Sequence, residues 1–193
     1  MKVVAILLAA GSATRFGADK LLHPLPHGVP IAVQSARHLK AVFESDVLAV
    51  VRPESNALAE LLRQEGCEVV RCERAADGMG VSLACGIAAA GAADAYLVAL
   101  ADMPFIRASS IAAVRDELLR GAALAAPYFR ARRGHPVGIA SRFGGELARL
   151  RGDEGAKQLL AAHGSEIVKI PVGDPAVLRD IDTPGDLAPP LVV

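Results

Sequence analysis

The chain has 193 residues, about the span of one globular domain and enough to bury a substantial core. Hydrophobic residues make up 52% but aromatics only 4%, with no Trp, so the core must be built mostly from Ala, Val, Leu and Ile. Lys plus Arg and Asp plus Glu each number 21, which removes the global basic field that non-specific nucleic-acid or anionic-membrane binding relies on. The three cysteines, Cys67, Cys72 and Cys85, are odd in number and lack C-x-x-C spacing, arguing against a disulfide framework or a zinc site and for a reducing, cytoplasmic setting. Lys2 leads straight into strand-like residues, unlike a signal peptide, and no apolar run reaches the length of a membrane span.

In chain order, short β-like runs alternate with helical patterns. Val3–Ala9 (VVAILLA) is nearly continuous in apolar residues, as in a strand buried on both faces. Pro30 suits the first turn of a helix carrying Ala32, Ala36, Leu39 and Phe43 at helical spacing. Val47–Val51 reads as a second strand, followed by a helix around Leu58, Leu61 and Leu62 that stops at Gly66. Cys67–Cys72 is a third, shorter strand. Ala95–Asp102 is again strongly apolar, with a helix marked by Ile111, Val114 and Leu118 behind it. The pattern then changes: Ala123–Phe129 and His135–Ala140 read as two strands joined by the polar turn Arg130–Gly134. A helix over Gly155–Gly164 and a strand over Glu166–Val172 follow. The expected architecture is a single α/β domain over residues 1–193, its mostly parallel sheet carrying an antiparallel insertion.

In an open parallel sheet, ligands bind outside the carboxyl ends of the strands. The loop after the first strand leaves at that edge, and Asp102 stands at the end of the Ala95–Leu100 strand. The loop has neither G-x-G-x-x-G nor G-x-x-x-x-G-K-[ST] spacing. Even so, Gly11 allows positive φ and close approach of a ligand, and the small residues Ala9, Ala10, Ser12 and Ala13 leave backbone N–H groups uncovered for an anion. Arg15 adds a guanidinium fork and Lys20 a point charge. An ordinary strand-to-helix connection with two solvated cations is the plainer reading. Pro104 keeps Met103 out of the helical region, so the Asp102 carboxylate sits on a stiff exit from its strand. A hard oxygen ligand opposite a phosphate loop is what Mg²⁺ requires, while a helix N-cap is the other role open to it.

The stretch LAAGSATRFGADKL resembles the L-A-[AG]-G-x-x-x-R-[MF]-G-x-x-K-x-L signature of the nucleotidylyltransferases. With GMGVSLACGI (Gly78–Ile87), LADMPFI (Leu100–Ile106), RRGHPVGI (Arg132–Ile139), GDEGAKQLL (Gly152–Leu160) and DIDTPGDL (Asp180–Leu187), nearly the whole chain is similar to the molybdenum cofactor cytidylyltransferases. The resemblance implies a three-layer Rossmann-like fold and transfer of CMP from CTP to the phosphate of molybdopterin, with Mg²⁺ as cofactor and release of pyrophosphate. It implies that Leu8, Ala9, Ala10, Gly11, Arg15, Lys20, Ser82 and Asp102 bind the nucleotide, with Arg15, Lys20 and Asp102 catalytic. Ser82, in a glycine-bearing turn before a helix, is placed at the base or ribose. Asp102 and Asp182 are the implied metal ligands. His135 and Pro136, in the GHP stretch, are candidates for the acceptor site, with hairpin stabilisation the alternative role for His135. His23, His27, His38 and His163 read as surface or helix-end residues, and Cys85 as core.

Two residues depart from the cytidylyl pattern: Asp19 is acidic, as in guanylyl-transferring relatives, and Lys157 stands where Arg is usual. Ala10, giving AAG rather than AGG, favours cytosine. The expected partners are CTP, a molybdopterin-type substrate and a recipient molybdoenzyme, with no nucleic acid and no membrane. The competing functions are a guanylyltransferase, a transferase for another phosphorylated acceptor, and a non-catalytic molybdoenzyme chaperone. Joint retention of Arg15, Lys20 and Asp102 argues against the last.

Overall fold

The computed structural model describes residues 1–11, 19–152 and 155–188. Among them eight strands form one sheet, ordered β3-β2-β1-β4-β7-β5-β6, with β8 also pairing β5. The strands are β1 (Val3–Leu8), β2 (Val47–Val51), β3 (Glu68–Arg71), β4 (Ala95–Leu100), β5 (Leu124–Phe129), β6 (Arg132–Arg133), β7 (Val137–Ala140) and β8 (Ile167–Pro171). The β1–β2, β1–β4, β2–β3 and β5–β8 pairs are parallel, whereas β4–β7, β5–β6 and β5–β7 are antiparallel. This is the mostly parallel sheet with an antiparallel insertion that the sequence pattern predicts.

The helices are α1 (Ile31–Phe43), α2 (Asn56–Gln64), α3 (Met79–Ala89), α4 (Ala108–Leu119), α5 (Gly144–Leu147) and α6 (Lys157–Ala162). They cover both faces of the sheet and make three layers. The continuous apolar run of β1 follows directly: Val3, Ala5 and Leu7 pack in the core beneath α1, α2 and α4, and Val4, Ile6 and Leu8 in the core beneath α3, α5 and α6. A strand buried on both faces has no polar positions to alternate with. Helix α1 is amphipathic: Ile31, Ala32, Ala36 and Leu39 are buried while Arg37 is exposed.

Two local readings are corrected. The strand expected from His135 begins at Val137, because His135 and Pro136 leave the ladder. The β5–β6 register pairs Tyr128 with Arg133 and the β5–β7 register pairs Leu124 with Ile139, so extra residues are accommodated between them. Gly134 N–H still donates to Pro127 O of β5 (2.8 Å), whereas His135 N–H donates to Val177 O (2.8 Å). The helix read over Gly155–Gly164 is regular only across Lys157–Ala162. Among the described residues no helix is long and apolar enough to cross a membrane.

Candidate active site

Parallel pairing of β1 with β4 aligns Leu8 with Leu100, so the chain leaves both strands at the same edge. Residues 8–11 and Asp102 are therefore neighbours across some ninety intervening positions. Between them opens a cleft of about 450 Å³ lined by Leu8, Ala10, Gly11, Lys20, Leu21, Arg52, Gly78, Met79, Ser82, Leu100, Asp102, Asp180 and Asp182, among others. Leu8, Ala10, Gly11, Lys20, Ser82, Asp102 and Asp182 are thus brought together as the resemblance implies, while buried Ala9 faces the core beneath α1, α2 and α4. Arg15 lies outside the described residues.

Charge organises the floor of the cleft. Lys20 begins a 3₁₀ turn (Lys20–Leu22), and its Nζ donates to Asp102 Oδ2 at 2.9 Å and lies 3.5 Å from Asp182 Oδ1. Burial disfavours the ammonium, but the Asp102 carboxylate, with Asp182 behind it, outweighs that and holds Lys20 above the ordinary lysine range. Asp180 is pushed above the usual carboxylate range, by burial first and then by Asp182 and Asp102. Ile181 N–H donates to Asp102 O (2.9 Å), which ties the Asp180–Asp182 segment to the end of β4.

The helix-cap role for Asp102 does not hold. The N-cap of α4 is Arg107, whose backbone N–H donates to Asp174 Oδ2 (2.9 Å), while the Asp102 carboxylate is turned to Lys20. Two further expectations change. Ser82 is not in a turn before a helix but inside α3, buried, with its Oγ donating to Gly78 O at 3.4 Å. Gly11 does not take positive φ; among the described residues a Cβ there would meet nothing within 4 Å, and its exposed face opens on the cleft.

Arg52 and Asp180 also line the cleft, and the sequence motifs do not single them out. Arg52 follows β2 at the same carboxyl edge, and its Nε donates to Ala10 O at 2.9 Å, fixing the peptide at the start of the loop. Asp180 is two residues from Asp182 in a D-x-D pattern. The edge rule would have found Arg52, and the doubled acid would have found Asp180.

A smaller cavity of about 190 Å³ adjoins the cleft through Leu8, Met79 and Leu100, which line both. Its wall adds Leu83, Val98, Val137 and Leu160, with Arg133, His135 and Lys157 as the polar members. His135 is held down to about 4, by burial first and then by Arg133, so its imidazole is neutral near pH 7. Its buried Nδ1 has no hydrogen-bond partner. Pro136 is buried beside it. His38, read as a surface residue, has its Nδ1 buried and lines a separate cleft of about 550 Å³ with Pro104, Phe105 and Asp174. That cleft offers no lysine–carboxylate pair: Asp174 is buried and taken up by the Arg107 and Ala176 N–H groups and the Ser110 hydroxyl.

A lysine–carboxylate floor beside Ala10 and Gly11, at the carboxyl edge of a three-layer α/β sheet, is the arrangement of the nucleotidyltransferase class. Residues 5–167 match the MobA-like NTP transferase domain, and the chain belongs to that family. The bifunctional protein GlmU of Bradyrhizobium diazoefficiens is 36% identical over 131 residues, 65% of this chain. The match spans only 29% of that relative's length. The crystal structure of Rv0371c from Mycobacterium tuberculosis superposes with a TM-score of 0.80 at 24% identity, covering 96% of this chain and 94% of that one. Its homologue from Mycobacterium sp. strain JC1 gives 0.78 at 26% identity, covering 95% and 92%.

Proposed function

We propose that the protein transfers CMP from CTP to the phosphate of molybdopterin and releases pyrophosphate. The observation that carries this reading is Lys20 seated between Asp102 and Asp182 beneath the open backbone of Ala10 and Gly11. The attacking acceptor phosphate is already an anion, so no general base is required. It adds in line to the α-phosphorus of CTP while the bond to the bridging oxygen breaks and pyrophosphate departs. The task left to the protein is alignment and stabilisation of phosphate charge. Lys20 supplies an ammonium to the triphosphate, and Arg15 supplies a guanidinium from the same loop. Arg52 holds the Ala10 carbonyl and so fixes the Ala10–Gly11 peptide beside the nucleotide.

The donor set fits a divalent metal: Asp102 and Asp182 are hard oxygen ligands already converging on one cation, the Lys20 ammonium. When bound there, Mg²⁺ would neutralise charge on the phosphate oxygens of donor and leaving group. The smaller cavity is the acceptor chamber in this reading. His135, neutral, offers one hydrogen bond, and Arg133 and Lys157 supply positive charge for the acceptor phosphate.

The choice of cytosine rests on Ala10, whose buried side chain lies at the loop entrance, and stands against the departure at Asp19. The Asp19 carboxylate accepts from Leu21 N–H at 3.3 Å, so the acidic residue that resembles the guanylyl relatives caps its own 3₁₀ turn. Pyrophosphate release with molybdopterin and each of CTP, GTP and UTP tests the reading. CTP is expected to give the highest kcat/KM. Preference for GTP overturns the base assignment, and no release with any nucleotide overturns transfer itself.

A further inference from the structure

We infer that Lys20 is a displaceable counter-ion that keeps a divalent metal out of the site until the nucleotide arrives. The inference rests on the nucleotidyl-transfer reading and concerns the order in which the site fills. Lys20 Nζ, on a side chain only 11% exposed, stands 2.9 Å from Asp102 Oδ2 and 3.5 Å from Asp182 Oδ1. The ammonium therefore occupies the place between the carboxylates that a metal ion needs. A dication entering alone must either push a partly buried ammonium aside or sit against it, and in both cases like charges meet at short range.

A second observation points the same way. Among the described residues, no group of three or more His, Cys, Asp or Glu side chains could hold a metal ion. Two carboxylates make an incomplete shell for Mg²⁺, which takes its remaining oxygens from water and substrate phosphates. A triphosphate solves both problems together. Its oxygens draw the Lys20 ammonium off Asp102, freeing the carboxylate, and they complete the metal's oxygen shell. Lysine suits this exchange because its charge is a compact point on a flexible four-carbon stem, whereas arginine's planar fork is suited to holding a carboxylate. Departure of pyrophosphate reverses the exchange: Lys20 returns to Asp102 and the metal is released. By linkage, the factor by which nucleotide raises metal affinity is the factor by which metal raises nucleotide affinity.

The test is a Mn²⁺ titration followed by the electron paramagnetic resonance of free Mn²⁺, on the protein without nucleotide. Lys20→Met, which removes the charge and keeps the length, is expected to bind Mn²⁺ at least roughly tenfold more tightly than wild type. Lys20→Arg, which keeps the charge, is expected to stay weak. Adding Asp102→Asn to Lys20→Met is expected to abolish the gain, which places the ion at this floor. Equal affinities in wild type and Lys20→Met, or a gain that survives Asp102→Asn, overturns the inference. Wild type alone gives an independent arm: bound α,β-methylene-CTP should raise its Mn²⁺ affinity at least roughly tenfold over that of the protein and free analogue separately. No enhancement by a bound analogue also overturns it. Calorimetry of the analogue without metal tests the nucleotide reading separately, so failure of that reading shows as absent analogue binding while the Lys20→Met comparison still stands.

Discussion

Asp102 combines two properties at one residue. Its backbone carbonyl accepts from Ile181 N–H and helps hold the fold, while its side chain meets Lys20 in the cleft. Substituting the side chain should therefore spare the fold. Asp102→Ala is expected to lower transfer at least a hundredfold, the loss of roughly 3 kcal/mol of transition-state stabilisation, with little change in the circular dichroism spectrum. Turnover within a few fold of wild type would remove Asp102 from the chemistry. Arg52→Ala is expected to act differently. It frees the Ala10 carbonyl held at 2.9 Å and leaves the charged floor in place, so the KM for CTP should rise more than kcat falls. An equal loss in both parameters under steady-state assay would show that Arg52 acts mainly in the transition state. Asp102 and Lys20 were legible as cleft residues because charged side chains at the carboxyl edge of the sheet stand out in the sequence. Arg52 was legible by its place at the carboxyl edge but not by its role, because a backbone carbonyl partner leaves no trace in side-chain identity.

At the scale of elements, hydrophobic period and turn residues located β1, β2 and β4 to within a residue or two, because strands buried on both faces leave unbroken apolar runs. Ends set by tertiary contact were less legible. His135 and Pro136 read as strand, yet Val177 takes the His135 N–H and draws the segment off the ladder. Ser82 read as turn because of the flanking glycines, yet α3 starts at Met79: Gly78, at φ 119°, is its N-cap, and a Cβ at Gly80 would lie 2.9 Å from Arg151 O. A Cβ at Gly86 would lie 2.8 Å from Ile6 Cγ2 and 3.0 Å from Val50 Cγ2, so the glycine lets α3 sit close on β1 and β2. Alanine there gains about 1 kcal/mol of helix propensity but overpacks the contact at about 1–3 kcal/mol. The overpacking should prevail, because both opposing side chains belong to fully buried residues. Gly86→Ala is accordingly expected to lower the urea midpoint by the equivalent of about 1 kcal/mol, and a stabilised variant would contradict the close approach.

Across the whole molecule, strand order is what sequence patterning could not supply. Alternating β and α elements predict a parallel sheet, but the insertion of antiparallel β7 between β4 and β5 depends on contacts far apart in the chain. That insertion also decides where His135 lies: between the sheet edge and the 3₁₀ turn Pro175–Leu178, shut away from solvent at Nδ1. Its burial makes global stability depend on pH. The imidazole titrates near 6.5 when unfolded and is lowered to about 4 in the fold, chiefly by burial and then by Arg133, with Asp180 opposing. Between those values the unfolded chain binds more protons than the folded one, so stability rises with pH. The contribution is complete above about 6.5 and is lost progressively as the pH falls towards about 4. His38 is also lowered and acts in the same direction, so the wild-type slope alone does not isolate His135. A pH-insensitive variant does. Comparing urea unfolding at pH 7.5 and pH 5, wild type is expected to lose about 2 kcal/mol more than His135→Gln, the linkage for roughly one and a half pKa units. Equal losses in the two proteins would mean that His135 is solvated or paired in solution, and the neutral hydrogen-bonding role assigned to it in the acceptor chamber would fall with that result.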